Sequence, residues 1–221
     1  MELTKEELQE LENQLSCPTG DKGIETAILM NNTNIGMTKS SIDALHIANN
    51  DVVLELGHGN CGHLDYLLKK ASKLSYIGLE ISETMKLEAQ KQLLNKEYFS
   101  EVSFKLYDGK KLPLEDKSIQ KIFTVNTLYF WKNPTQFLEE ISRVLSENGI
   151  CIVTFAQKDF MQKLPFVGNN FKLYNTTDIE LLVKHSSLRI SQLLHRTEKV
   201  KTKTGILVDR HFTIAILKHK S

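Results

Sequence analysis

The chain has 221 residues, and its 28 Lys and Arg against 27 Asp and Glu leave a net charge of +1. That length suits one α/β domain with a sizeable core and is short for two, while the near balance of charge argues against a nucleic-acid or membrane partner held by bulk electrostatics. Cys17, Cys61 and Cys151 are odd in number and make no C-x-x-C pair, which points to neither a disulfide framework nor a zinc site and fits a reducing cytoplasm. The first residues are charged and lack the apolar stretch of a signal peptide, and no apolar run approaches the ~18 residues that span a bilayer.

Thr4-x-x-Glu7 reads as a capping box, and Leu8, Leu11 and Leu15 follow at helical spacing. An amphipathic helix is predicted over 5–16, ended by Cys17-Pro18-Thr19-Gly20. A second, short helix is expected within 22–30. Asn31 to Met37 reads as a polar turn with Gly36 near its end, and Thr38 as the cap of a helix through Ala48. Residues 1–48 are thus expected to form a helical cap on a domain over 49–221.

Asp51 to His63, DVVLELGHGNCGH, organises the rest. Val52, Val53, Leu54 and Leu56 make a short apolar run suited to a strand covered on both faces. Glu55 interrupts it, and a carboxylate there must be paired or aimed at a ligand beyond the strand's end. Gly57, Gly59 and Gly62 allow a tight turn and close approach of a ligand, ahead of a helix that offers free N–H groups. The pattern is one for binding a nucleotide or nucleoside. Gly57-x-Gly59-x-x-Gly62 matches the dinucleotide fingerprint, and Glu80 stands where a ribose-binding acid is expected. An acid at position 55 is unhelpful beside a pyrophosphate but welcome beside a cationic amino group, which S-adenosylmethionine carries.

Leu64, Leu67 and Leu68 predict a helix after the turn, and Leu74 to Leu79 a second strand ending at Glu80, an acid able to accept both ribose hydroxyls. Ile81 follows as a surface for an adenine ring. Ser82 caps a helix expected to run to about Lys96. Val102 to Leu106 is a third strand, leading to Tyr107-Asp108-Gly109, where Asp108 can accept from an adenine amino group and Gly109 keeps the loop thin. Ile122 to Val125 is a fourth strand ending at Asn126. Asn133-Pro134 opens a helix stopped by Asn148-Gly149, and Ile150 to Phe155 is a fifth strand. Residues 156–175 are apolar without a period and are placed to wall an acceptor site. Thr177 to His185 reads as a helix, and Leu188 to Val200 and Phe212 to Leu217 as a terminal antiparallel pair around Gly205.

VLELGHGNCGH at 53–63, GLEIS at 78–82, YDG at 107–109 and FTVNTLYFW at 123–131 resemble the successive motifs of class I S-adenosylmethionine-dependent methyltransferases. The nearest likeness is to the type 11 group, related to the ubiquinone and menaquinone biosynthesis methyltransferases. One departure stands out: Cys61 holds the place of the family's usual third glycine. The resemblance implies a three-layer α/β sandwich on a mostly parallel, Rossmann-like seven-stranded sheet with its last strand antiparallel. It implies S-adenosylmethionine held by Glu55, Gly57, His58, Gly59, Glu80, Ile81, Asp108, Gly109 and Asn126. It also implies a small-molecule acceptor near Asn126, Thr127, Tyr129 and Trp131, with Asn31, Asn34 and Met37 as further lining candidates.

Methyl transfer from a sulfonium is an in-line displacement, so a dedicated base is optional. His58 and His63 are the first candidates if one is needed. No metal is expected from the crowded trio His58, Cys61 and His63. An NAD(P)-dependent oxidoreductase and a catalytically silent nucleoside-binding relative remain as alternatives.

Overall fold

The computed structural model describes residues 4–94, 100–201 and 207–220. In chain order the elements are α1 (Lys5–Ser16), α2 (Gly20–Ala44), β1 (Val52–Leu56), α3 (Leu64–Leu68), β2 (Ser75–Glu80), α4 (Glu83–Lys91), β3 (Glu101–Leu106) and β4 (Ile119–Val125). A 3-10 turn at Leu128–Phe130 then leads to α5 (Pro134–Val144), β5 (Leu145–Ala156), α6 (Lys158–Met161), α7 (Thr176–Lys184), β6 (Leu188–Lys201) and β7 (Leu207–His219).

Seven strands form one sheet in the order β3-β2-β1-β4-β5-β7-β6. The first five run parallel, and β7 is antiparallel to both β5 and β6, as the sequence predicts. The chain builds outward from β1 through β2 to β3, then returns to place β4 on the other side of β1. That reversal is the point at which a doubly wound sheet opens a crevice beyond its carboxyl ends. Val53, Leu54 and Leu56 of β1, Ile122 and Phe123 of β4, and Ile152, Val153 and Phe155 of β5 are at most 1% exposed. Helices on both faces bury these central strands, which is why they read as apolar runs rather than as alternation.

Local signals place most helix starts. Thr4 and Glu7 make the expected capping box, Asn175 and Asp178 make another, and the Ser82 hydroxyl accepts from the Met85 amide at 3.1 Å. Helix α4 ends at Lys91, short of the expected Lys96; residues 95–99 lie outside the described residues, as does the turn expected at Gly205. Helix α5 stops at Val144 rather than at Asn148-Gly149, because Leu145 already pairs with Ile119. Gly149 then folds back so closely that a Cβ on it would stand 2.6 Å from Leu145 Cδ1.

The N-terminal region departs most from expectation. The short helix, Asn-rich turn and second helix expected over 22–48 are one 25-residue helix, α2. Polar side chains that compete with helical backbone in isolation are occupied elsewhere. The Thr33 hydroxyl donates back to the Leu29 carbonyl at 3.0 Å, and Asn34 Oδ1 accepts from Arg210 Nη1 at 2.8 Å. Gly36, read as a turn glycine, is the place where α2 passes the Glu198 carboxylate. Thr38, read as a cap, is a buried mid-helix residue. Tertiary packing along Gly23, Ala27, Met37, Ser41 and Ile42 overrides the local signal.

Candidate functional site

The turn after β1 sits at the strand-order reversal. Gly57 and Gly59 both have left-handed backbones, with φ of 73° and 56°. Their surroundings differ. A Cβ on Gly57 would stand 2.5 Å from Thr127 Cγ2, beyond the end of β4, whereas nothing lies within 4 Å of where a Cβ on Gly59 would be. Gly57 is therefore required by packing, and Gly59 by conformation beside open space. Cys61, at the place of the family's third glycine, also has a left-handed φ of 52°. Gly62 lies under α2, where a Cβ would stand 2.8 Å from Asn31 Nδ2.

Below the turn, Glu55 is only 3% exposed and paired. Its Oε2 is 2.8 Å from His63 Nε2 and accepts the Tyr76 hydroxyl, which also lies 3.3 Å from Cys61 Sγ. Burial opposes charge on His63, yet the Glu55 carboxylate holds the imidazole's pKa well above its ordinary value. Burial pushes the Cys61 thiol and the Tyr76 phenol upward. Tyr76 is a member that sequence reading missed; the only signal was period-two alternation, which sets it on the same face of β2 as Glu80.

Glu80 closes the other side of the turn. Its Oε2 accepts from Gly59 N at 3.0 Å, and its Oε1 from Ile81 N at 2.7 Å and Ser82 N at 3.2 Å. Three backbone N–H groups thus fix the carboxylate's direction. Ile81 is 42% exposed and faces Gly109, whose φ is 73° and whose Cβ would stand 3.3 Å from Ile81 Cγ2. Asp108 is exposed, and its Oδ1 accepts from Lys110 N and Lys111 N at 2.8 Å each, bonds that lower its pKa. His58 is buried over Gly78 and Phe104, with its ring 4.9 Å from that of Phe104. Its Nδ1 meets the Gly59 carbonyl at 2.7 Å, and its Nε2 is buried without a partner. Burial depresses its pKa. His58 thus belongs with Glu80 on the β2–β3 side.

The end of β4 forms a separate cluster. Asn126 has a φ of 59°, its Oδ1 accepts from Ala156 N and Tyr129 Oη at 3.1 Å, and its Nδ2 reaches Met37 Sδ at 3.6 Å. Tyr129 is 2% exposed, and its hydroxyl is also 2.9 Å from the Ala156 carbonyl. Trp131 Nε1 donates to Thr127 Oγ1 at 3.1 Å, and its ring packs edge-on to Phe137. Phe171, from the segment after β5, lies against Phe130 and Tyr129 at 4.7 and 5.9 Å. That segment is held by α1, since Glu12 Oε1 accepts from Asn170 N at 2.6 Å. The expected residues therefore form two groups around the β1–β4 gap, with Glu55 beneath them.

Comparison with known proteins agrees with this geometry. Residues 54–153 match a family model described as a methyltransferase domain, type 11. A ribosomal RNA small subunit methyltransferase A of Borrelia garinii is 25% identical over 185 residues, covering 80% of this chain and 61% of that protein. The chain therefore spans about three fifths of that relative's length. The Bacillus subtilis methyltransferase YdaC is 24% identical over 128 residues, covering 57% of this chain and 67% of that one. Among solved structures, a putative methyltransferase of Haloferax volcanii in complex with the Trm112 methyltransferase activator superposes with a TM-score of 0.74 at 14% identity, over 97% of this chain and 99% of that one. An S-adenosylmethionine-dependent methyltransferase of Methanosarcina mazei gives 0.62 at 17% identity, over 81% and 98%. Residues 54–153 thus match the type 11 methyltransferase domain family, and the chain has the fold of the S-adenosylmethionine-dependent methyltransferases.

Proposed function

We propose that this chain binds S-adenosylmethionine at the β1–β4 gap and methylates a small, partly apolar acceptor. The observation that carries the reading is Glu80, aimed by three N–H groups beside a left-handed Gly59 with open space where its side chain would be. The residues fit the cofactor. Glu80 is assigned to the ribose hydroxyls, the adjoining Ile81 and Gly109 together to one wall of the adenine site, and Asp108 to the adenine amino group. Gly57, Gly59 and Asn126 are assigned to the aminoacyl side. His58 contributes its unpartnered Nε2 next to Glu80, and Glu55 acts through the turn it holds. When bound, the cofactor supplies an electrophilic methyl group on a sulfonium.

The protein's own part is positioning and exclusion of water. Tyr129 and Asn126 are tied to each other and to Ala156, so they shape the acceptor wall rather than move protons. A small acceptor is favoured because α1, α2 and the 156–175 segment are interlocked over this side through Glu12, Met37 and Phe171. The three unpaired cysteines agree with a reducing compartment such as the cytoplasm. Among the described residues no helix is long and apolar enough to cross a membrane.

Parallel calorimetric titrations with S-adenosylmethionine, S-adenosylhomocysteine, NAD and NADP test the cofactor. Binding of the first two alone supports the reading, and binding of NAD instead overturns it. An RNA acceptor is the second reading, favoured by the names of the Borrelia relatives. Radiolabelled methyl transfer into small-molecule and RNA fractions of cell extract separates the two. Whole extract also supplies any activating partner of the kind named for the Haloferax volcanii protein.

A further inference from the structure

Beneath the glycine turn, four side chains converge that the cofactor reading does not use directly. Glu55 (3% exposed), Cys61 (0%), His63 (6%) and Tyr76 (1%) come from β1, the turn, the start of α3 and β2. A carboxylate oxygen, the thiol sulfur and an imidazole nitrogen of the first three all lie within 4.8 Å of one another. The Tyr76 hydroxyl touches both Glu55 and Cys61. We propose that Glu55, Cys61 and His63, with the Tyr76 hydroxyl at the fourth corner, form a buried site for a zinc-like divalent cation that staples the turn to the sheet.

The donor set selects the ion. One sulfur, one nitrogen and one oxygen suit a borderline cation such as Zn²⁺, whereas Mg²⁺ and Ca²⁺ take oxygen ligands. Charge balance agrees. One carboxylate and one thiolate cancel a divalent charge, and the imidazole binds in its neutral form, so the filled site is uncharged in a place where a lone charge is costly. On binding, the ion replaces the proton between His63 and Glu55 and the thiol proton of Cys61, both of which leave to solvent.

The His63–Glu55 pair is already near the spacing of metal ligands, while the Tyr76 hydroxyl must draw back from Glu55 for both to reach one ion. His63 Nε2 and Glu55 Oε2 are 2.8 Å apart, and donors around a tetrahedral ion with bonds of about 2.0 Å stand about 3.3 Å apart. The pair needs to open by about 0.5 Å, a change small side-chain rotations absorb. The backbone supplies the independent observation. Cys61 has a left-handed φ of 52°, a conformation that favours glycine. A buried cysteine held there against its backbone preference has a side chain with work to do, and its sulfur points at the other ligands.

The test uses the untagged full chain, purified from zinc-supplemented culture, with metal content measured by mass spectrometry. The chelated protein is then titrated with Co²⁺ and its absorption recorded. About one Zn²⁺ per chain is expected, together with tetrahedral Co²⁺ bands and a thiolate-to-metal charge-transfer band. Cys61→Gly, which suits the left-handed backbone, is expected to keep the wild-type circular dichroism and lose the charge-transfer band. His63→Gln is expected to weaken Co²⁺ binding at least about tenfold. Folded wild-type protein that gives no thiolate band in excess Co²⁺ overturns the proposal, whatever metal it retains. A band that survives Cys61→Gly also overturns it. If Cys61→Gly does not fold, the wild-type spectrum decides alone.

Discussion

Glu198 lies against Gly36 so closely that any side chain on α2 at that position would overlap its carboxylate. Glu198 is not free to swing aside, because its Oε1 accepts from Arg210 Nε at 3.1 Å and Nη2 at 2.7 Å. Arg210, 6% exposed, in turn donates to Asn34 and to the Thr33 carbonyl. Gly36→Ala is therefore expected to destabilise by about 1–2 kcal/mol, despite the better helix propensity of alanine. In a Glu198→Ala background the same change should be neutral or favourable. Equal effects in the two backgrounds, read by urea unfolding, would refute the contact.

Glu80→Gln keeps the side chain's shape and one carbonyl oxygen but removes the charge. Affinity for S-adenosylhomocysteine should fall by ~1.5–3 kcal/mol, roughly 10- to 150-fold, through loss of charge-assisted bonds to the ribose. Calorimetry on protein with unchanged circular dichroism reads the effect. Unaltered affinity removes Glu80 from the site.

Tyr129→Phe deletes one hydroxyl placed between Asn126 Oδ1 and the Ala156 carbonyl, both near the end of the sheet. A cost of about 1–2 kcal/mol in stability is expected, because a buried acceptor loses its donor. If Tyr129 shapes the acceptor wall and moves no proton, the pH profile of methyl transfer keeps its form while its amplitude changes. A shifted profile would make Tyr129 a proton carrier.

Arg143 donates to Glu140, to Asp116 and to the carbonyls of Leu112 and Leu114. Its guanidinium holds the Glu140 carboxyl below the ordinary value of 4.5. For a carboxyl whose pKa is depressed on folding, the stabilisation is complete above the unfolded value and is lost as pH falls through the folded one. Stability of the wild type should therefore drop more steeply below pH 4.5 than that of Arg143→Gln. Parallel acid limbs in denaturant titrations would show that the pair contributes nothing there.

The sheet and the cofactor turn were legible because their signals are local and dense. A buried strand, a glycine-rich turn and an acid ending the next strand occupy a short stretch of β1 to β2, and the terminal antiparallel pair was legible from its β-rich segments; the order of strands in the sheet came only with the structure. The continuity of α2 was not legible. Asn31, Thr33, Asn34 and Gly36 each carry a turn signal, and the Arg210–Glu198 pair that cancels three of them lies more than 160 residues away in the chain. Glu55 was legible as a residue needing a partner, but its two partners were not: His63 was read as a candidate base, and Tyr76 of β2 lay outside every motif. The trio of His58, Cys61 and His63 looked crowded in sequence; in space His58 turns toward Phe104, and Glu55 stands in its place beside the other two.

The unbroken course of α2 bears on how anything enters the gap between β1 and β4. Its 25 residues make a rod of roughly 37 Å. Asn31 lies over Gly62, Gly36 against Glu198, Met37 at Asn126, and the Ser41 hydroxyl 2.7 Å from that of Thr154. With no joint between these points, the rod cannot lift over the turn while staying seated at β5. An α2 that moves as one piece is expected to leave these contacts together, so the rate of ligand entry should respond to a substitution at Gly36 as strongly as to one at Asn31.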